Sequence, residues 1–182
     1  MTKEEQLEQI TEEITQCEEC KKDTVGVPVV GEGNPDAQIV FIGEAPGRLE
    51  AETGRPFIGR SGKLLRGLIQ DIGFDDLKDV YITSPVKYLP IYVTPKPADI
   101  AHGRTHLMKQ LEIIDPKIIV LLGRVAAEGV LQEKVFVQKD HGRVTKKDGR
   151  TYFLTLHPAA ALRFTKNKIP LVADFQELKK LL

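Results

Sequence analysis

The chain has 182 residues, 41% of them hydrophobic, a size and composition suited to one globular domain with a substantial core. Its 26 Lys and Arg balance 26 Asp and Glu, which excludes the broad positive field of a histone-like nucleic-acid coat but not a local grip on DNA. No apolar stretch is long enough to span a bilayer, and the polar start Thr2-Lys3-Glu4-Glu5-Gln6 is unlike a secretory signal, so an intracellular, cytoplasmic protein is expected.

Thr2 to Gln16 reads as a helix, with Thr2 and Glu5 spaced as a capping box and Leu7, Ile10 and Ile14 at helical intervals. Cys17 and Cys20 follow in a Cys-x-x-Cys spacing and are the only cysteines, which in an intracellular chain suggests a metal or redox pair before a structural disulfide. A loop rich in Gly, Pro and Val runs from Val25 to Pro35. Four apolar runs have the length and β-branched content of buried strands: Gln38 to Gly43, Asp79 to Ser84, Lys117 to Gly123 and Thr151 to His157. Helical patterns lie between them at Lys63 to Ile72, at Asp99 to Asp115 and, more briefly, at Val125 to Leu131. Val135-Phe136-Val137 and the Lys147-Asp148-Gly149 turn predict a local hairpin before the fourth run, and Leu171 to Leu182 closes the chain as an amphipathic helix. Without repeats or linkers, residues 1–182 are expected to form a single α/β domain around a mostly parallel, four-stranded sheet.

In an open parallel sheet, ligands bind beyond the carboxyl ends of the strands. Those ends deliver Gly43-Glu44, Ser84, Gly123-Arg124 and His157-Pro158. Strands commonly end in Gly, Ser and Pro for loop reasons alone, but together these groups suit a small polar ligand. Gly43-Glu44-Ala45-Pro46-Gly47 makes a tight turn whose backbone N–H groups can converge on such a ligand. It is not a dinucleotide fingerprint. Gly59-Arg60-Ser61-Gly62-Lys63-Leu64 is no Walker A loop either, because Leu64 stands where Ser or Thr should hold magnesium.

The longer string, from Gly43-Glu44-Ala45-Pro46-Gly47 through Gly54-Arg55-Pro56-Phe57-Ile58-Gly59 to Ser61-Gly62, resembles the first motif of the family 4 uracil-DNA glycosylases, the iron–sulfur type. Thr24 to Gly33, Tyr81-Ile82-Thr83 and Leu156-His157-Pro158-Ala159 match that family's other motifs in order and spacing. The resemblance implies a three-layer α/β/α fold and a monofunctional hydrolase, acting as a monomer on DNA that carries a damaged base. Such an enzyme flips uracil, or a related deaminated base, out of the helix and cleaves its N-glycosidic bond with water. By that resemblance Phe57 stacks on the base, Gly43 and Ala45 line the pocket, and Ser84 stands at the base-reading position. Glu44, or second Glu50, supplies a carboxylate, and His157 donates to the uracil oxygen. Ser61, Gly62, Lys63, Leu162 and Arg163, with Lys166, are the expected DNA contacts.

Three departures from the family pattern qualify this reading. Ser84 stands where the family places an Asn, which leaves the substrate base open. Cys17 and Cys20 match the first cluster pair, but Tyr88 and Gly103 occupy the other two positions, so a four-thiolate cluster within one chain is impossible. No cofactor is therefore expected, with a Cys2His2 zinc site through Cys17, Cys20, His102 and His106 as the alternative. Ala160 and Ala161 replace the large residues that wedge the duplex, leaving Leu162, which would favour single-stranded or distorted DNA. A catalytically weakened or inactive nucleic-acid or nucleobase binder on the same fold is the competing function.

Overall fold

In the computed structural model, which describes all 182 residues, the first helix is capped as its spacing predicts. Thr2 Oγ1 accepts from the Glu5 backbone N–H, and Glu5 Oε2 accepts in return from that of Thr2. In chain order the elements are α1 (Lys3–Gln16), α2 (Glu18–Lys21), β1 (Thr24–Val25), β2 (Glu32–Gly33), β3 (Ile39–Ile42), α3 (Arg48–Thr53) and α4 (Arg60–Asp71). Then come β4 (Val80–Thr83), β5 (Leu89–Pro90), α5 (Pro97–Ile114), β6 (Ile118–Leu122), α6 (Arg124–Leu131) and α7 (Val137–Asp140). The chain closes with β7 (Val144–Lys147), β8 (Arg150–Thr155), α8 (Pro158–Arg163), a 3-10 turn (Thr165–Asn167) and α9 (Lys168–Lys179).

The central sheet has six strands in the order β2-β4-β3-β6-β8-β7. Its middle four, β4, β3, β6 and β8, are mutually parallel and are the four apolar runs of the sequence. The two edges, β2 and β7, are antiparallel additions that the four-strand expectation left out. Because both faces are covered, the middle strands are buried along almost their whole length rather than on alternate residues, with only Arg150 and Thr151 at the start of β8 partly exposed. Ile39 and Phe41 pack with residues of α4, α8 and α9, while Val40 and Ile42 pack with α1, α5 and α6. Phe41 stacks on Phe175 of α9 with ring centroids 5.9 Å apart. The result is a three-layer α/β/α sandwich. Truncating one of its fully buried leucines, such as Leu111 or Leu65, to Ala would cost about 2–5 kcal/mol.

The hairpin expected before β8 exists, but its first arm is Val144–Lys147 rather than Val135–Val137. Asp148 and Gly149 turn it with φ of 51° and 76°, the left-handed pair of a tight hairpin. Val135 instead enters the core beside α6, and Phe136 is an exposed residue at the start of α7. From β3 the chain builds toward β4 on one side and later toward β6 and β8 on the other. The loops after β3 and β6 therefore diverge at a switch point, where an α/β sheet opens a crevice.

Candidate active site

The crevice is organised around Phe57. At the end of β3, the Gly43 N–H donates to the Thr83 carbonyl at 2.9 Å, keeping the chain level with the end of β4. A Cβ on Gly43 would lie 2.6 Å from the Phe57 ring, so glycine here lets the ring settle against the turn. Phe57 has φ of 52°, a left-handed conformation uncommon for an aromatic residue. Its neighbours hold it there. Arg66 Nε donates to the Phe57 carbonyl at 2.9 Å and Arg66 Nη2 to that of Pro56 at 2.7 Å, while Glu32 and Asp76 pair with the same guanidinium. Beneath, Gly62 of α4 lies so close that a Cβ would come within 2.0 Å of the Phe57 carbonyl.

Glu50, one of the two candidate carboxylates, is 8% exposed and already engaged. Its Oε1 accepts from the N–H groups of Ile58 and Gly59 at 2.9 and 2.7 Å, stitching α3 to the loop that carries Phe57. Glu44 is placed differently. Burial raises its carboxyl above the ordinary value, against an opposing pull from Arg124. A cavity of about 450 Å³ opens here, lined by Glu44, Ala45, Phe57, Ser84 and His157 among others.

His157 precedes α8 and caps it, its Nδ1 accepting from the Ala159 N–H at 3.1 Å. Burial pushes the imidazole down to about 4, so the ring is neutral near pH 7. With Nδ1 accepting, the single ring proton sits on Nε2. Its ring is 5.8 Å from that of Phe57, centroid to centroid. Ser84, 6% exposed, donates its hydroxyl proton to the Val86 carbonyl at 2.9 Å and so can only accept from a ligand. Below it, Thr83, Gln110, Lys87 and the Val30 carbonyl form a buried polar network, with Lys87 Nζ 2.7 Å from Gln110 Oε1.

A second hollow of about 470 Å³, sharing Ser61 and Arg163 with the first, is flanked by Arg48, Arg60 and Leu162. Arg48 and Arg60 were not among the expected DNA contacts; in the sequence they are two of many cations, and only the fold sets them beside the cavity. Lys63 and Lys166 are exposed and line neither hollow, whereas Gly62 is buried under Phe57. Ala161 faces the core at 5% exposure, so it is no wedge position. Leu162 and Phe164 stand out beside the cavity at 42% and 51% exposure, and Phe164 lines it. Val29, from the Thr24 to Gly33 motif, and Val93, which belongs to no motif, also line the cavity.

The family model of the Uracil DNA glycosylase superfamily matches residues 30–179, a span that contains Glu44, Phe57, Ser84 and His157. The chain belongs to the uracil-DNA glycosylase superfamily. Within it, the chain is 37% identical over 190 residues to the "Type-4 uracil-DNA glycosylase" of Sulfurisphaera tokodaii, covering 96% of this chain and 84% of that one. It is 39% identical over 172 residues to the protein of the same name from Thermotoga maritima, covering 92% and 89%. Likeness to the "Type-5 uracil-DNA glycosylase" of Thermus thermophilus is 34% over 118 residues, covering 57% and 54%.

The four-cysteine cluster implied by the resemblance to the superfamily's iron–sulfur branch does not fit this chain. Tyr88 fills one of the two other ligand positions, 4% exposed and packed with Ile10 and Ile14. At the second, a Cβ on Gly103 would fall 2.1 Å from the Pro85 carbonyl, so no thiol can be carried there on this backbone. Cys17, Cys20, His102 and His106 do come together, with one ligand atom from each lying within 4.8 Å of all the others. No helix is long and apolar enough to cross a membrane.

Proposed function

We propose that this chain is a monofunctional DNA glycosylase that excises uracil, or a closely related deaminated base, from DNA. The observation that carries this reading is the neutral His157, its proton fixed on Nε2 by the Ala159 N–H, in the same cavity wall as Phe57. The flipped base stacks on the Phe57 ring, and Ser84 Oγ accepts a hydrogen bond from the base edge. Water attacks C1′ as the C1′–N1 bond breaks. The bonding pair leaves on N1 and spreads to the base oxygen, where the His157 Nε2–H stabilises it. Glu44 orients the water, stabilises the positive charge on the sugar and takes up the water's proton; its raised carboxyl suits that last role. Glu50 acts by shaping the Phe57 loop.

Monofunctional chemistry is supported by the lining, which contains no lysine to form a Schiff base. Burial pushes Lys87 down to about 7, but its amine faces three acceptors, Val30 O, Thr83 Oγ1 and Gln110 Oε1, away from the cavity. One chain supplies every group, so a monomer suffices. Arg48, Arg60 and Arg163 hold the phosphates, and Leu162 and Phe164 fill the gap the extruded base leaves.

The deciding experiment incubates the protein with oligonucleotides carrying one uracil, hypoxanthine or xanthine, single-stranded and paired. Alkali-labile abasic sites should appear on the uracil substrates without strand cleavage before alkali treatment. Binding without product on every substrate would instead identify a non-catalytic binder.

A further inference from the structure

We propose that Cys17, Cys20, His102 and His106 hold one zinc ion, a single-metal site where the iron–sulfur branch would carry a cluster.

Two chain segments build the site. Cys17 ends α1 and caps α2, its Sγ accepting from the Cys20 N–H at 3.4 Å, which turns both thiols to one side. His102 and His106 are four residues apart on α5, hence on one helix face. The fold sets that face against the α1–α2 corner. Cys17 Sγ lies 3.1 Å from His102 Nε2, and the two imidazoles meet edge to face with centroids 5.5 Å apart.

His106 supplies the second, independent observation. It is 7% exposed, yet neither ring nitrogen has a hydrogen-bond partner. A buried polar group left so is costly, and native folds rarely tolerate one without a ligand to complete it. Its Nδ1 is 4.0 Å from Glu13 Oε2, so Nε2 is the nitrogen to offer the ion, with the carboxylate poised behind as an outer partner.

The spacing selects a single ion. Zn–S and Zn–N bonds of their usual lengths put tetrahedral ligands roughly 3.3–3.8 Å apart, so a set already within 4.8 Å closes on zinc by small side-chain rotations. A two-iron centre with thiolates on one iron and imidazoles on the other would hold the two ends farther apart than the 3.1 Å between Cys17 and His102. Two thiolates and two imidazoles in tetrahedral array are a donor set that suits zinc.

The test uses untagged protein, freshly purified without added metal. Elemental analysis should find about one zinc per chain and no stoichiometric iron or acid-labile sulfide. Stripped protein titrated with cobalt(II) should develop intense tetrahedral visible bands with thiolate charge transfer, saturating at one equivalent and bleached by zinc. Cys17→Ser and His106→Leu should each abolish that spectrum; His102→Ala, at the more exposed ligand, should do so with an unchanged circular-dichroism spectrum. Purified protein that holds no zinc and takes up no cobalt overturns the proposal. So does stoichiometric iron with sulfide, a cobalt spectrum without charge transfer, or a cobalt spectrum that survives His102→Ala. None of these readouts involves base excision, so failure here is separable from failure of the glycosylase reading.

Discussion

Phe57 and His157 lie ring against ring, 5.8 Å between centroids and 29° from parallel, a separation at which two rings are in direct contact. No base can enter between them. In the proposed reaction this leaves the base the Phe57 surface that His157 does not cover, and leaves the imidazole its Nε2–H edge rather than its face. The proposed stacking and hydrogen-bond-donor roles thus fall to two side chains that hold each other in place.

Removing the donor should leave binding largely intact and slow the chemistry. His157→Ala is expected to lower the single-turnover rate on uracil DNA by about 10²–10³-fold, the loss seen when one donor to a developing anion is removed. The same ring links stability to pH. Its folded value is depressed to about 4, so the unfolded state protonates first as pH falls. Stability is full above about 6.5, the ordinary histidine value, and declines toward pH 4. Thermal unfolding across that window should show a shallower decline in His157→Ala.

Glu44→Gln should lower the rate by about 10²–10⁴-fold, as expected for the loss of a positioned base. Arg124 pulls the Glu44 carboxyl down against its burial, so Arg124→Gln should move the acid limb of the kcat/KM profile to higher pH. A limb that stays in place would remove Glu44 from the ionisation that controls the rate.

Gly62→Ala places a methyl group 2.0 Å from the Phe57 carbonyl, against backbone that cannot rotate away. Overpacking of this kind costs about 1–3 kcal/mol, and the melting temperature should fall by several degrees. Activity measured well below the melting temperature should fall further than stability accounts for, because Phe57 is the residue displaced.

Ser84→Asn restores a donor that the Ser84 hydroxyl, committed to Val86, cannot offer. One added hydrogen bond to uracil predicts about a tenfold rise in kcat/KM for uracil over hypoxanthine. For the phosphate contacts, Arg48→Ala, Arg60→Ala and Arg163→Ala should each reduce the salt slope of DNA affinity by about 1, with Lys63→Ala as an unaffected control.

Much of the fold was legible because its signals are local. The capping box, the four largely apolar strands and the periodic helices are each readable from local spacing. Val135-Phe136-Val137 misled because β-branching cannot tell a strand from a short buried segment, and the true edge strand, Val144–Lys147, is mostly polar and exposed. The six-residue helices α3 and α8 are too short to show a period. At the site, Phe57, Ser84 and His157 were visible as strand-end and motif residues. The employment of Glu50 was not, since its partners Ile58 and Gly59 are met only once α3 folds back on the loop. Arg66 likewise gains its meaning from Glu32, 34 residues away.

The contact between Gly103 and the Pro85 carbonyl acts as a one-way latch. A single codon change could write cysteine at position 103, and another could replace Tyr88, yet neither would rebuild a four-thiolate cage, because the backbone after β4 occupies the space the new side chain would need. Restoring the cage would require moving that segment and emptying the hydrophobic plug around Tyr88 together. Any redesign of this corner must therefore work with the two thiols and two imidazoles already there.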